Sequence, residues 1–287
     1  MASAKKIIFA LILFLLIAAS PASKSEAAYK RIVSLYPGHT DNIIALGGIS
    51  RLVGVSKNDD ADAAGRIPAF SISTGAEALL ALHPDLVLTR SLADRQNPNL
   101  KNILERAGVR VFVVDPPDWD GFPGYLRSLA VLIGADPEKA SASFESIKNG
   151  IKSEAEKYKG KSRKKVFIEA TSKELHTCAP DSWAAHMVEL AGGENIAKEA
   201  AAIRKGSAIA PWGIERILKN AGRIDVYIVQ QGTMNTSDLE SVRQRSWYPA
   251  IKNADLAAMP ESLLSRPSLL GLKKGGSMLI KILYGSR

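Results

Sequence analysis

The chain has 287 residues, a single cysteine at Cys178, and 38 Lys and Arg against 29 Asp and Glu, a formal net charge of +9. One cysteine excludes an intrachain disulfide framework, so stability must come from burial, for which this length provides one large or two modest cores. The basic balance favours anionic ligands or a membrane surface without choosing between them.

In chain order, Lys5 and Lys6 precede an apolar run from Ile7 to Ala19, followed by Ser20-Pro21-Ala22 and a polar stretch. That is the layout of an export signal. The run is 13 residues long, too short for a bilayer, which needs about 20. The expectation is a signal peptide over 1–27, cut after Ala27, and an exported, soluble mature chain. The alternative is an uncleaved N-terminal anchor. No cysteine lies near the cleavage zone, which leaves lipid attachment unsupported.

The mature chain opens with a predicted strand, Arg31 to Leu35, ending at Tyr36-Pro37-Gly38. A helix is predicted from about Thr40 to Leu46, stopped by Gly47-Gly48. Strands follow at Leu52–Val55, Leu86–Leu88 and Val109–Val114, with a helix from Asn99 to Ala107 before the last. Alternating strands and helices predict a parallel, doubly wound sheet over 29–134. Asp136-Pro137-Glu138 then starts a long helix over 136–158, a rod of roughly 30 Å. The basic run Lys157 to Lys165 reads as a solvated connector rather than a nucleic-acid patch. Alternation resumes over 164–287, with strands at Val166–Glu169, His176–Cys178 and Val226–Val229. A helix capped by Asp181 or Ser182 runs to Ala191, and a last helix runs from Arg266-Pro267 to Leu283.

Two stretches say nearly the same thing: Glu77-Ala-Leu-Leu-Ala-Leu-His-Pro-Asp-Leu-Val-Leu88 and Glu215-Arg-Ile-Leu-Lys-Asn-Ala-Gly-Arg-Ile-Asp-Val-Tyr-Ile-Val229. Each is a short amphipathic helix led by a glutamate, a breaker, and a buried strand introduced by an aspartate. One copy per half predicts paired lobes with equivalent surfaces. The fold class is therefore α/β, two doubly wound lobes joined by one long rigid helix, with a cleft between them. Ligands bind beyond the carboxyl ends of strands in such sheets. The rule selects Tyr36 to His39, Arg90 and Ser91, Asp118 and Trp119, Thr171 and Ser172, and Gln230 to Gly232, including Gln231. Trp183 lies one turn into an amphipathic helix and reads as core.

The stretch Arg31-Ile-Val-Ser-Leu-Tyr-Pro-Gly-His-Thr-Asp-Asn-Ile-Ile-Ala-Leu-Gly-Gly, continuing to Arg51-Leu-Val-Gly-Val55, resembles the start of the periplasmic substrate-binding proteins of ferric-siderophore, haem and cobalamin ABC importers. So do Pro84-Asp-Leu-Val-Leu88, Gly108-Val-Arg-Val111 with Val114-Asp-Pro-Pro117, and Glu189-Leu-Ala-Gly-Gly-Glu-Asn-Ile196. Tyr248-Pro-Ala-Ile-Lys-Asn253 and Leu264-Ser-Arg-Pro267 are similar to the family's C-terminal signatures. The resemblance implies a periplasmic, monomeric receptor with no cofactor of its own, no catalysis and no nucleic-acid partner. It would carry an iron- or cobalt-containing chelate to a dimeric permease in the inner membrane. It implies that Glu77 and Glu215 dock onto the two permease subunits; the plainer reading is two solvated acids favoured by the helix dipole. It adds Trp212, where cobalamin-binding relatives carry a cleft aromatic, and Arg266 of the Ser-Arg-Pro signature. It also gives Trp247 a packing role.

The family's usual first loop is a small Ser-Pro-Ser/Ala run; Tyr36-Pro-Gly-His39 departs from it, which implies a smaller ligand or a direct iron contact. A second reading is therefore a direct binder of haem or a transition-metal ion through Tyr36, His39 and His176, with Cys178 or an acid completing a tetrahedron. His83 and His186 are placed away from the cleft. An exported hydrolase is the remote alternative. It lacks a Gly-x-Ser-x-Gly elbow, its Ser162-to-Lys165 pair sits in the connector, and Ala155 stands where a P-loop needs its first glycine.

Overall fold

The computed structural model describes residues 28–59, 65–158 and 160–285; the expected export signal lies outside them. The first half comprises β1 (Ile32–Ser34), α1 (Pro37–Ala45), β2 (Leu52–Ser56), β3 (Ala69–Phe70), α2 (Ala76–Leu80), β4 (Leu86–Thr89), α3 (Ser91–Gln96), α4 (Leu100–Arg106), β5 (Arg110–Val113) and α5 (Phe122–Ile133). Its strands form one parallel sheet in the order β3-β2-β1-β4-β5. Helices cover both faces, so β1 and β4 are buried along their whole length, which is why their sequences are almost entirely apolar.

α6 (Pro137–Glu156) links the halves. The Asp136 carboxylate accepts from the amides of Glu138 (2.9 Å) and Lys139 (3.1 Å), satisfying donors that a helix start leaves open. The second half contains β6 (Lys165–Glu169), β7 (Thr177–Cys178), α7 (Trp183–Leu190), β8 (Glu194–Asn195), β9 (Ile209–Ala210), α8 (Ile214–Asn220), β10 (Val226–Gln231), α9 (Leu239–Arg243), β11 (Asp255–Pro260), α10 (Glu261–Leu264) and α11 (Leu269–Tyr284). Its main sheet is again parallel, in the order β11-β10-β6-β8, and β7 and β9 form a small antiparallel pair.

Three local outcomes differ from the sequence expectation. α1 begins at Pro37, three residues before the predicted Thr40, because proline is pre-set for a first helical turn and its missing amide costs nothing there. The predicted last helix forms as α11, starting just past Arg266-Pro267 where Ser268 caps it by accepting from the Gly271 amide at 2.9 Å, and the short α10 ahead of it lies outside the predicted range. α5 was not foreseen, although Pro123 near its start and left-handed Gly134 at its end mark both termini.

One core cluster runs through both halves, from Ile32 and Leu86 of the first sheet through Phe144 of α6 to Ile168, Met259 and Leu283. α11 lies against α1, α6 and α7 and so packs on both halves and on the linking helix.

Candidate functional site: the interlobe cleft

Each sheet reverses its strand order once. In the first, the chain adds β2 and β3 on one side of β1 and then β4 on the other; in the second, β8 lies on one side of β6 and β10 on the other. The carboxyl ends at these two switch points form the crevices where such folds take ligands.

At the first crevice stand Tyr36 and Arg90. The Arg90 guanidinium lies 4.9 Å from the centre of the Tyr36 ring, within cation–π range. Both side chains are half-buried. The buried Nε of Arg90 has no hydrogen-bond partner, and the Asp115 carboxylate, hydrogen-bonded to Ser91, is held below its usual range in part by the Arg90 charge. Burial pushes the Tyr36 phenol up, opposed by the positive charges of Arg90 and Arg266; Glu261 and Asp41 act in the same upward direction as burial. Glu261 and Arg266 come from the opposite lobe, so the phenol sits where the lobes face each other.

His39 is a correction. The early start of α1 turns the expected loop into the helix's first turn and carries His39 inside, where it is wholly buried. Its Nε2 donates to the Val114 carbonyl at 3.1 Å, and Nδ1 accepts from the Tyr125 hydroxyl at 2.6 Å. Burial holds its pKa down to about 4. Its ring meets Tyr36 edge-on at 5.0 Å, so it supports the phenol from behind and has no nitrogen free for a metal or ligand. His176 pairs with Glu174 at 3.2 Å. Among the described residues, no three His, Cys, Asp or Glu side chains converge as a metal site.

Trp212 is a second correction. It is 5% exposed and belongs to the core of the second lobe, against Phe167 and beneath the Arg216 guanidinium. Trp119 is half-buried, but its ring is committed to packing across the lobes: it stacks on His186 (5.0 Å) and leans on Trp183 (4.6 Å). Trp183 and Trp247 are both buried in cores. Arg266 is 12% exposed and paired with Asp41 at 3.5 Å, a bond between lobes. Beside it, Asn42 donates to the Pro267 carbonyl (3.1 Å) and accepts from the Leu269 amide (2.9 Å). Gln231 is half-buried at the second crevice and donates to the Ser237 carbonyl at 3.3 Å.

Glu169, at the end of β6, carries a polar network that strand periodicity does not reveal. Wholly buried, it receives both Arg245 nitrogens (2.6 and 2.9 Å), the Tyr227 hydroxyl (2.5 Å) and Asn235 Nδ2 (3.2 Å). The pairing that a buried charge demands is thus complete. An acid closing an otherwise apolar strand was the available signal.

Glu77 and Glu215 are each the second residue of their helices, α2 and α8, and both are exposed. A crossover helix runs antiparallel to the strand it feeds, so both starts lie level with the strand carboxyl ends, on the cleft side. A cavity of about 480 Å³, lined by Arg243, Lys252 and Lys281 among others, opens at the amino end of β11, the far end of that lobe.

The vitamin B12-binding protein of Yersinia pseudotuberculosis is 27% identical over 247 residues, which are 84% of this chain and 82% of that one. A solved structure of a possible iron-binding, periplasmic solute-binding protein from Staphylococcus epidermidis matches with a TM-score of 0.68 and 24% identity, covering 89% of this chain and 99% of the other. A periplasmic heme-binding protein from Pseudomonas aeruginosa matches at 0.67 and 20%, covering 90% and 94%. Two parallel lobes on one linking helix are thus a fold seen before in binding proteins. The family model described as periplasmic binding protein matches residues 32–263, and the chain belongs to that family.

Proposed function

We propose that the protein is the solute-binding receptor of an ABC importer, capturing an iron or cobalt chelate between its lobes and delivering it to a membrane permease. The observation that carries the ligand class is Arg90, a half-buried cation stacked on Tyr36 at a switch point, whose buried Nε has no hydrogen-bond partner. A cation placed so gains most from an anionic ligand group that completes its hydrogen bonds. The similarity to proteins named for vitamin B12, heme and iron supports a chelate as cargo. Export by residues 1–27 would put the receptor in the periplasm.

Titration of the purified mature protein with haemin, cyanocobalamin and ferric siderophores, followed by tryptophan fluorescence, tests the reading. Saturable binding at micromolar or lower concentration is expected, with Arg90→Ala weaker by roughly tenfold, the worth of one charge-assisted hydrogen bond. If no chelate perturbs the protein while a fluorogenic ester is turned over, the receptor reading fails.

Glu77 and Glu215 are proposed as the permease contacts, on the strength of their equivalent, exposed positions. Charge reversal at both is expected to abolish uptake while leaving ligand affinity intact. Undiminished uptake by the double variant refutes the docking role.

A further inference from the structure

Among the described residues, β11 is an outer strand of the second sheet and pairs with β10 alone. The Asp255 amide donates to the Asp225 carbonyl at 2.8 Å, and along such a ladder alternate residues bond the neighbouring strand. Asp255, Ala257 and Met259 therefore bond inward, and the amides and carbonyls of Leu256 and Ala258 point outward. No described residue bonds to them. An open row of this kind is a template for another strand, which proteins usually blunt with charge, proline or a covering element. This strand reads Asp-Leu-Ala-Ala-Met-Pro, with proline only at its end and small alanines that let another backbone approach.

The two faces of the sheet carry different coverings. Ile228 and Met259 pack in the cluster that holds α11, whereas Tyr227 and Leu256 pack with Val242 of α9 and with Trp247. The cavity of about 480 Å³ is lined by Lys281 of α11, by Arg243 and Lys252 from the other face, and by Asp255, Leu256 and Ala257 between them. A space that touches both coverings and three successive residues of an outer strand runs along the free edge of that strand. Its lining is basic: the three cations face one carboxylate, Asp255, and Arg243 is answered by exposed Glu240 only at 3.6 Å.

We propose that the outer edge of β11 is a docking site for an extended, acidic segment of a partner protein, added to the sheet as a further strand. Main-chain bonds to Leu256 and Ala258 supply the pairing, and Arg243, Lys252 and Lys281 select acidic side chains. A second copy of this chain would set the same cations against one another, which opposes pairing of like edges. The site lies at the end of the lobe away from the cleft, so a docked segment leaves the cleft open.

The test is fluorescence anisotropy of the mature protein with a short dye-labelled peptide of alternating Glu and Val. Saturable binding that weakens with added salt is expected, with the double variant Lys252→Glu, Lys281→Glu weaker by roughly tenfold or more. A copy of the peptide with alternate backbone amides methylated should not bind. Ala258→Pro removes one outward amide and no bond to β10, so it should abolish binding at an unchanged unfolding midpoint. Equal binding of the methylated peptide reduces the site to a charge contact and overturns strand addition. Equal binding of a Lys and Val peptide, or no binding of the acidic one, overturns the proposal. Self-association of the mature protein that Ala258→Pro abolishes gives the edge to a second copy and overturns it as well.

Discussion

A histidine with both ring nitrogens engaged cannot gain a proton without breaking a bond, and His39 is such a residue. With its folded pKa near 4 against about 6.5 unfolded, the unfolded chain binds more protons between those values. Its contribution is therefore full above pH 6.5 and falls as pH drops towards 4, by about 3 kcal/mol in all. Asp59 slopes the other way. Burial raises its carboxyl to about 7, so its contribution is present at low pH and lost as pH rises from about 4 to 7. Wild type alone thus shows a partly cancelled slope. Asp59→Asn should unmask the His39 slope, and His39→Asn in that background should flatten it, as urea unfolding across pH 4 to 7 would record. A slope that survives both changes rejects the assignment.

The helices pack as closely as their glycines permit. On α11, a Cβ at Gly275 would overlap the Leu263 carbonyl oxygen, and one at Gly276 would enter the Ile151 side chain of α6. Alanine improves helix propensity by about 1 kcal/mol, but forcing backbone apart costs about 1–3 kcal/mol or more. The contact wins, and Gly275→Ala should lower the urea midpoint. Gly150, on the exposed face of α6, meets nothing within 4 Å. Its replacement by alanine should raise stability by about 0.5–1 kcal/mol. Two identical substitutions with opposite signs measure packing apart from propensity; a matching sign would show that the α10–α11 contact yields freely.

Across the whole molecule, the lobes share a core and are tied beside the cleft by Asn42 and by the Asp41–Arg266 pair. Asn42→Ala strands the buried Leu269 amide and the Pro267 carbonyl, and also frees the Gly38 carbonyl that Asn42 holds at 2.7 Å. The expected cost is roughly 2–4 kcal/mol. The wild type should unfold in one transition, with fluorescence and circular dichroism midpoints coincident. A wild-type transition that splits between lobes, or an Asn42→Ala midpoint equal to wild type, shows that the lobes are not coupled there.

Periodicity and composition alone determined the buried parallel strands, the capped linker helix and the paired units led by Glu77 and Glu215, because these follow from short-range steric and capping rules. The same rules found the switch-point loops, and so Tyr36 and Arg90. They did not find which side chains remain available there. Pro37 starting α1 early buried His39, and packing with Phe167 closed over Trp212. Arg266 found Asp41, 225 residues away in sequence; Glu169 likewise joined Arg245 and Asn235. Availability depends on partners distant in the chain, and only the tertiary structure brings those together.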